Sequence, residues 1–273
     1  MCHDVHMLAT QRHDRILTAL RLHGAVRIAE LAESLDVSDM TVRRDITELA
    51  ERGVLRKVHG GAVLPRTAAH EPGFAAKSAE SVPEKVAIAR AALAYVEAGA
   101  AIALSAGTTT TALASVIAED PALRPLTVVT NSVSAAEVLH ATGDPRLETI
   151  LTGGVRTPSD ALVGPVADRA LASLRVDVAF LGAHGVGLAA GLTTPNLDEG
   201  ATNAMLVAAA SRTVVLADHT KWQETGLTRF AALEDVDVLV TDDGLPPDDQ
   251  AAARDVVDEL VVATVDPVAE ARA

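Results

Sequence analysis

The sequence predicts an α/β chain in two parts, an N-terminal winged helix-turn-helix followed by a mostly parallel α/β domain. Three observations carry that prediction. The first 66 residues hold three short helical patterns and a basic hairpin tipped by Gly60 and Gly61. The remainder alternates seven short apolar runs with helix-patterned segments, the signature of strands crossing over through helices. Charge divides along the same line: Met1 to Arg66 carries 10 Lys+Arg against 9 Asp+Glu, or +1, with five histidines, and the rest carries 13 against 28, or −15, within a total of −14. Only the first quarter is suited to meet a polyanion.

Composition bounds the alternatives. With 49% hydrophobic residues in 273, the chain can bury a core, yet its apolar stretches fall well short of a membrane span. The start, "MCHDVHMLATQRHD", lacks a basic region followed by an apolar core, and Cys2 is the single cysteine. No signal peptide or disulfide framework is expected, and a reducing cytoplasm is. Cys2, His3 and His6 could approach one metal ion, but chain ends are usually frayed, so no metal is expected there.

Each N-terminal element has its own warrant. Arg12 to Leu22 places Ile16, Leu17 and Leu20 at helical spacing, and Ile28, Leu31, Ala32 and Leu35 follow an i, i+3, i+4, i+7 pattern. "DVS" leaves room only for a tight turn, after which Ser38 is a good N-cap for a third helix that runs to about Arg52 and stops at Gly53. On that helix Val42, Ile46 and Leu49 share the inward face. Met40, Arg44 and Thr47 then point away, with Thr41 and Arg43 on the flanks. A helix of this kind suits the major groove: Arg44 can pair with guanine, and Thr41 and Arg43 can hold phosphates. Arg56, Lys57 and His59 on the following hairpin would rest on the backbone as a wing. Against this stands the plain alternative that Arg43, Arg44 and Asp45 are a solvated helix face.

The whole stretch "VSDMTVRRDITELAERGVLRKVHGGAV" resembles the helix-turn-helix and wing of the DeoR family of bacterial transcription regulators, from about Arg12 to Val63. The resemblance implies double-stranded operator DNA as partner, with Ser38, Thr41, Arg43, Arg44, Lys57 and His59 as contacts. The chain then divides into a DNA-binding domain over 1–64, a linker over 65–84, rich in Ala, Ser and Pro, and an effector domain over 85–273.

In the second part the apolar runs are "AIALS" (101–105), "LTVVT" (126–130), "ETILT" (148–152), "DVAFLGA" (177–183), "TVVLAD" (213–218), "DVLVT" (237–241) and "ELVVATV" (259–265). Polar loops follow five of them: "SAGTTTTAL", "TNS", "TGG", "HGVG" and "DHTK". In an open parallel sheet such loops converge on one crevice. A Gly-Thr turn that opens a helix can cradle an anion there, although it can also be a simple cap, and Asp218 and Lys221 can equally be a surface ion pair. The pattern from about Lys85 to Val265 resembles the DeoR effector domain, related in fold to ribose-5-phosphate isomerase. That resemblance implies a phosphorylated sugar or related anionic metabolite, held at its phosphate by Gly107, Thr108, Thr109 and Thr110, approached by Lys85 and Lys221, and lined by Asn131, Gly153, Gly154 and Gly187. Ser105 stands where many family members have aspartate, and Asn203 and Ala204 where a basic residue is common.

The isomerases carry two catalytic aspartates where this chain reads "LGAH", Leu181 to His184. Leucine cannot act as a general base, so no catalytic residue and no cofactor is expected. The reading that follows is a transcription regulator, a repressor of carbohydrate genes relieved by its effector. It binds as a homo-oligomer, because paired half-sites need paired heads. The alternative is an isomerase-like enzyme that carries a DNA-binding head.

Overall fold

The computed structural model describes residues 9–23, 25–51, 54–58, 60–63 and 73–266. It divides into two compact units, Met1–Thr67 and Ala68–Ala273.

The first unit contains α1 (Ala9–His23), β1 (Ala25–Arg27), α2 (Ile28–Leu35), α3 (Asp39–Glu51), β2 (Arg56–Val58) and β3 (Gly61–Val63). Its core is the set that helical spacing predicts: Ile16, Leu20, Leu31, Leu35, Val42, Ile46 and Leu49 are all buried. Asp36, at φ 51°, ends α2 in a left-handed cap, and the Thr41 amide donates to Ser38 Oγ at 3.2 Å to begin α3. The expected stop at Gly53 lies outside the described residues. The hairpin forms as predicted from β2 and β3, and a third strand joins it in the order β1-β3-β2. Three residues are too few to show a period, and only Val26 of β1 is buried. Gly60 supplies the positive φ of the turn. Gly61 is required for another reason: a Cβ there would lie 2.1 Å from the Val26 carbonyl oxygen.

Asp45 departs from the solvated-face alternative. Arg43 and Arg44 are exposed, but Asp45 is 3% exposed and turns inward. It accepts from Arg12 Nε at 2.7 Å and Nη2 at 3.0 Å, with His13 Nε2 at 3.3 Å. Burial alone would raise the pKa of this carboxyl; the hydrogen bond and charge of Arg12, with His13, outweigh it and hold the value below the ordinary range. The pair therefore ties α1 to α3 across the core.

The second unit begins with α4 (Phe74–Ser78) and α5 (Val82–Ala92), followed by β4 (Ala101–Leu104), α6 (Thr108–Glu119), β5 (Leu126–Thr130), α7 (Val133–His140), β6 (Leu147–Leu151), β7 (Val155–Arg156) and β8 (Leu162–Val163). Next come α8 (Pro165–Ala172), β9 (Val176–Gly182), β10 (Gly185–Gly187), β11 (Gly191–Thr194), α9 (Leu197–Ala209), β12 (Ala210–Leu216), β13 (Thr228–Ala231), β14 (Val238–Asp242), α10 (Pro247–Arg254) and β15 (Glu259–Ala263). All seven apolar runs become strands of one sheet, ordered β15-β14-β12-β9-β4-β5-β6, and every neighbouring pair is parallel.

Alternate residues face opposite layers. Ile102, Leu104, Phe180, Val214 and Val240 pack with α5, α6 and α7, whereas Ala103, Ala179, Leu181, Val215 and Leu239 pack with α8, α9 and α10. From β4 the chain runs outward through β5 and β6, then crosses to β9 on the other side of β4. The switch point therefore lies between β4 and β9.

The expected linker differs in its second half. Residues 74–78 and 82–84 are helical, and α4 is fastened by the Phe74 amide to the Pro158 carbonyl at 2.9 Å and by Lys77 Nζ to Ser159 Oγ at 2.9 Å. A five-residue helix is held by such tertiary contacts rather than by its own periodicity, which is why composition alone reads it as linker.

Two outcomes are expected in calorimetry of the full chain. Gly61→Ala lowers the stability of the Met1–Thr67 unit by roughly 3 kcal/mol and leaves the other transition in place. Asp45→Asn costs the same unit roughly 2 kcal/mol at neutral pH. It also removes an acid sensitivity: because the folded carboxyl titrates below its unfolded value of about 3.9, its stabilisation is complete above that pH and disappears as pH falls through the folded value. An unchanged first transition in Asp45→Asn would exclude the Arg12–Asp45 pair as a tie.

Candidate functional site

On the first unit, Met40 is 75% exposed, and Arg43 and Arg44 are exposed beside it. With Arg12, Thr41 and Thr47 they line an open concavity of about 820 Å³ between the start of α1 and α3. Ser38 Oγ and Thr41 Oγ1 lie 2.9 Å apart, so the two hydroxyls expected on phosphates also brace the first turn of α3. Lys57, on β2, is exposed, with Nζ 3.4 Å from Thr47 Oγ1; the wing strand thus brings its charge to the same helix. His59 lies outside the described residues. Five of the six predicted DNA contacts can be placed, and α3 and β2 gather them on one basic surface. Asp45 is the residue that sequence reasoning missed. Its buried carboxylate engages Arg12 at the floor of that concavity.

On the second unit, the end of β4 leads through Ser105 and Ala106 into Gly107, the N-cap of α6, at φ 148°. The N–H groups of a first helical turn have no partners within the helix, and they give this end its positive potential. Thr108 is half-buried. Thr109 and Thr110 are buried, and Thr110 Oγ1 donates to the Gly107 carbonyl at 3.0 Å, as Thr111 Oγ1 does at 2.7 Å. The Thr110 hydroxyl thus closes the turn that begins at Gly107.

Asn131 also makes contacts within the protein. It is 1% exposed; its Oδ1 accepts from the Ala106 amide at 2.9 Å and its Nδ2 donates to the Leu162 carbonyl at 3.2 Å. The side chain therefore holds the loop before Gly107 in place. Ser105, also buried, accepts from the Gly182 amide at 2.9 Å and ties β4 to β9 across the switch point. Gly153 and Gly154 both have positive φ, 75° and 129°, and a Cβ on Gly154 would meet the Val163 oxygen at 2.6 Å. Gly187 is buried inside the β10-β11 pairing, opposite Gly191, so it supports the crevice wall instead of lining it.

Lys85 and Lys221 converge on one carboxylate. Asp218 is 1% exposed; its Oδ1 accepts from the Thr220 amide at 3.1 Å, while its Oδ2, 3.9 Å from Lys221 Nζ, has no hydrogen-bond partner among the described residues. Lys85 is 5% exposed. Burial pulls its pKa down; Asp218 opposes that, Lys221 adds to it, and Glu80 and Glu84 oppose it. A further fastening was not anticipated: His219 Nδ1 lies 2.6 Å from Asp242 Oδ2 and the His219 amide donates to Asp242 Oδ1 at 2.8 Å, pinning the "DHTK" loop to the end of β14.

Leu181, on β9, is fully buried. Cys2, His3 and His6 lie outside the described residues, and among the described residues no cluster of three potential metal ligands occurs. No helix among them is long and apolar enough to cross a membrane.

Comparison with known proteins agrees with this arrangement. Residues 12–68 match the DeoR-like helix-turn-helix domain and residues 80–243 the DeoR C-terminal sensor domain. The HTH-type transcriptional regulator GlpR of Haloferax volcanii is 33% identical over 264 residues, covering 96% of this chain and all of the relative. The lactose phosphotransferase system repressor of Staphylococcus aureus is 32% identical over 234 residues, covering 85% of this chain and 91% of the relative. A putative aga operon transcriptional repressor of Escherichia coli is 28% identical, covering 93% of each. Among solved structures, ribose-5-phosphate isomerase A of Methanocaldococcus jannaschii aligns with 50% of this chain and 53% of its own at 20% identity and a TM-score of 0.38, too loose a match to bear on function. On both family matches, which together span most of its length, the chain belongs to the DeoR family of DNA-binding transcriptional regulators.

Proposed function

We propose that this protein represses carbohydrate-metabolism genes from the cytoplasm and that a phosphorylated sugar, bound at the start of α6, releases it from DNA. The observation that carries the effector half is the cluster of Lys85, Asp218 and Lys221. Lys85 is buried and Lys221 half-buried near Asp218, and two ammonium groups in a unit whose α6 N-terminus also favours negative charge suit a phosphate dianion. Two of the relatives named above are repressors by description, one of them of a lactose phosphotransferase system.

In this reading Arg44 reads base edges, Ser38, Thr41 and Arg43 hold phosphates, and Lys57 and His59 place the wing on the backbone. Gly107 to Thr109 and the two lysines take the effector's phosphate, and Gly153 lies by the sugar. The protein binds as a homo-oligomer, since one unit of this size covers one half-site. Turnover has no part in this reading: Leu181, set against an isomerase aspartate by the resemblance, has no group that could move a proton. Release follows if the effector binds the DNA-incompetent arrangement more tightly; a swing from 99% bound to 99% free needs about 5.5 kcal/mol of difference.

Arg44→Ala is expected to relax sequence preference by roughly 1 to 3 kcal/mol, while Lys57→Ala weakens all sequences alike and lowers the salt slope by about one. Equal losses on specific and random duplexes in Arg44→Ala would take that side chain out of the groove. The full reading is tested by fluorescence anisotropy on the DNA upstream of the protein's own gene, titrated with pentose and hexose phosphates. One compound should release the wild type, and Gly107→Val should bind DNA normally and ignore it. Tight DNA binding that no sugar phosphate relieves would overturn the effector assignment.

A further inference from the structure

Lys85 stands in the first turn of α5, and the parallel crossovers put this turn and the start of α6 at the same carboxyl edge of the sheet. Its ammonium donates to two backbone carbonyls, Lys77 O and Glu80 O, each at 2.5 Å. Lys77 belongs to α4, and Glu80 to the turn that follows it. The next residue, Ser81, is at φ 49°, a conformation that a residue other than glycine keeps only when its surroundings impose it. Lys85 supplies part of that restraint, holding Glu80 O with its side chain and donating its own amide to the Ser81 carbonyl at 3.0 Å.

Helix α4 is too short to persist alone. It packs on α6, and in chain order it is the first described element of the Ala68–Ala273 unit, after the segment arriving from the DNA-binding unit. An ammonium has three donors. Two are engaged by α4 and its turn, and the group also interacts with Asp218 and Lys221.

We propose that Lys85 couples the effector site to α4: an anion at the start of α6 takes the third N–H of Lys85 and fixes the ammonium on the Lys77 and Glu80 carbonyls, so that effector binding tightens the helix by which the chain enters the sensor unit. The sign follows from charge. Burial works against the charged form of Lys85, Asp218, Glu80 and Glu84 favour it and Lys221 disfavours it; an anion on the third N–H adds to the favouring side, and the ammonium keeps all its donors. No displacement is needed, because the three acceptors can surround one tetrahedral group. This coupling rests on the effector reading above and adds the route by which occupancy is felt at α4.

The test is hydrogen exchange on the full chain across residues 74–81, with inorganic phosphate, ribose 5-phosphate and fructose 1-phosphate as probes and binding of each scored by calorimetry. A probe that binds should slow exchange there about ten-fold. Lys85→Met should exchange faster than wild type with or without probe, whereas Gly107→Ala should lose the response. If no probe binds the wild type, the effector reading falls and this coupling with it. If a probe binds and exchange at 74–81 is unchanged or faster, the coupling alone is overturned, as it is if Lys85→Met leaves that exchange at the wild-type rate.

Discussion

A parallel sheet buried on both faces leaves polar chemistry only one place to gather. The central strands β4, β9, β12 and β14 present apolar side chains to helices above and below, so the interior has no room for a charge that lacks a partner. Polar groups collect instead where the strands end. Ser105, Asn131, Asp218 and Asp242 all sit at carboxyl ends, each buried and each engaged with backbone. These residues form a frame of hydrogen bonds that holds Gly107 and the two lysines, and the rest of the sensor unit depends on that frame.

The DNA-binding unit answers a similar constraint at smaller scale. Its core is three short helices and a small sheet, too little apolar area to fix helix orientation with much margin. The buried Arg12–Asp45 pair adds a directional contact that apolar packing lacks, since a bidentate guanidinium and carboxylate meet in one geometry. The acid after the paired arginines thus has a different task from its neighbours. Arg43 and Arg44 face outward, and Asp45 sets the helix that presents them.

Much of this was legible in the sequence, and the exceptions share a cause. Apolar runs of five to seven residues carry enough of a period to announce a strand, and all seven did. Strands β1, β7, β8, β10, β11 and β13 are two to four residues long and carry none, and α4 owes its helix to contacts with Pro158 and Ser159 far along the chain. The same holds in the site. Gly107 can be read from a local turn before a helix, but Asp242 reaches His219 across 23 residues, and the partners of Lys85 are backbone carbonyls that no side-chain pattern marks. Asn131 likewise reaches the Ala106 amide and the Leu162 carbonyl, 25 and 31 residues away in the chain.

The contact of Gly61 with the Val26 carbonyl gives the wing a fixed gauge. Because β3 lies against β1 with no space for even a methyl group, the hairpin cannot slide or tilt to suit a different duplex. Met40, Arg44 and Thr47, on the outward face of α3, can then be exchanged one at a time while the wing keeps its register. Variation is thereby confined to the exposed face of a single helix, on a chassis whose dimensions do not drift.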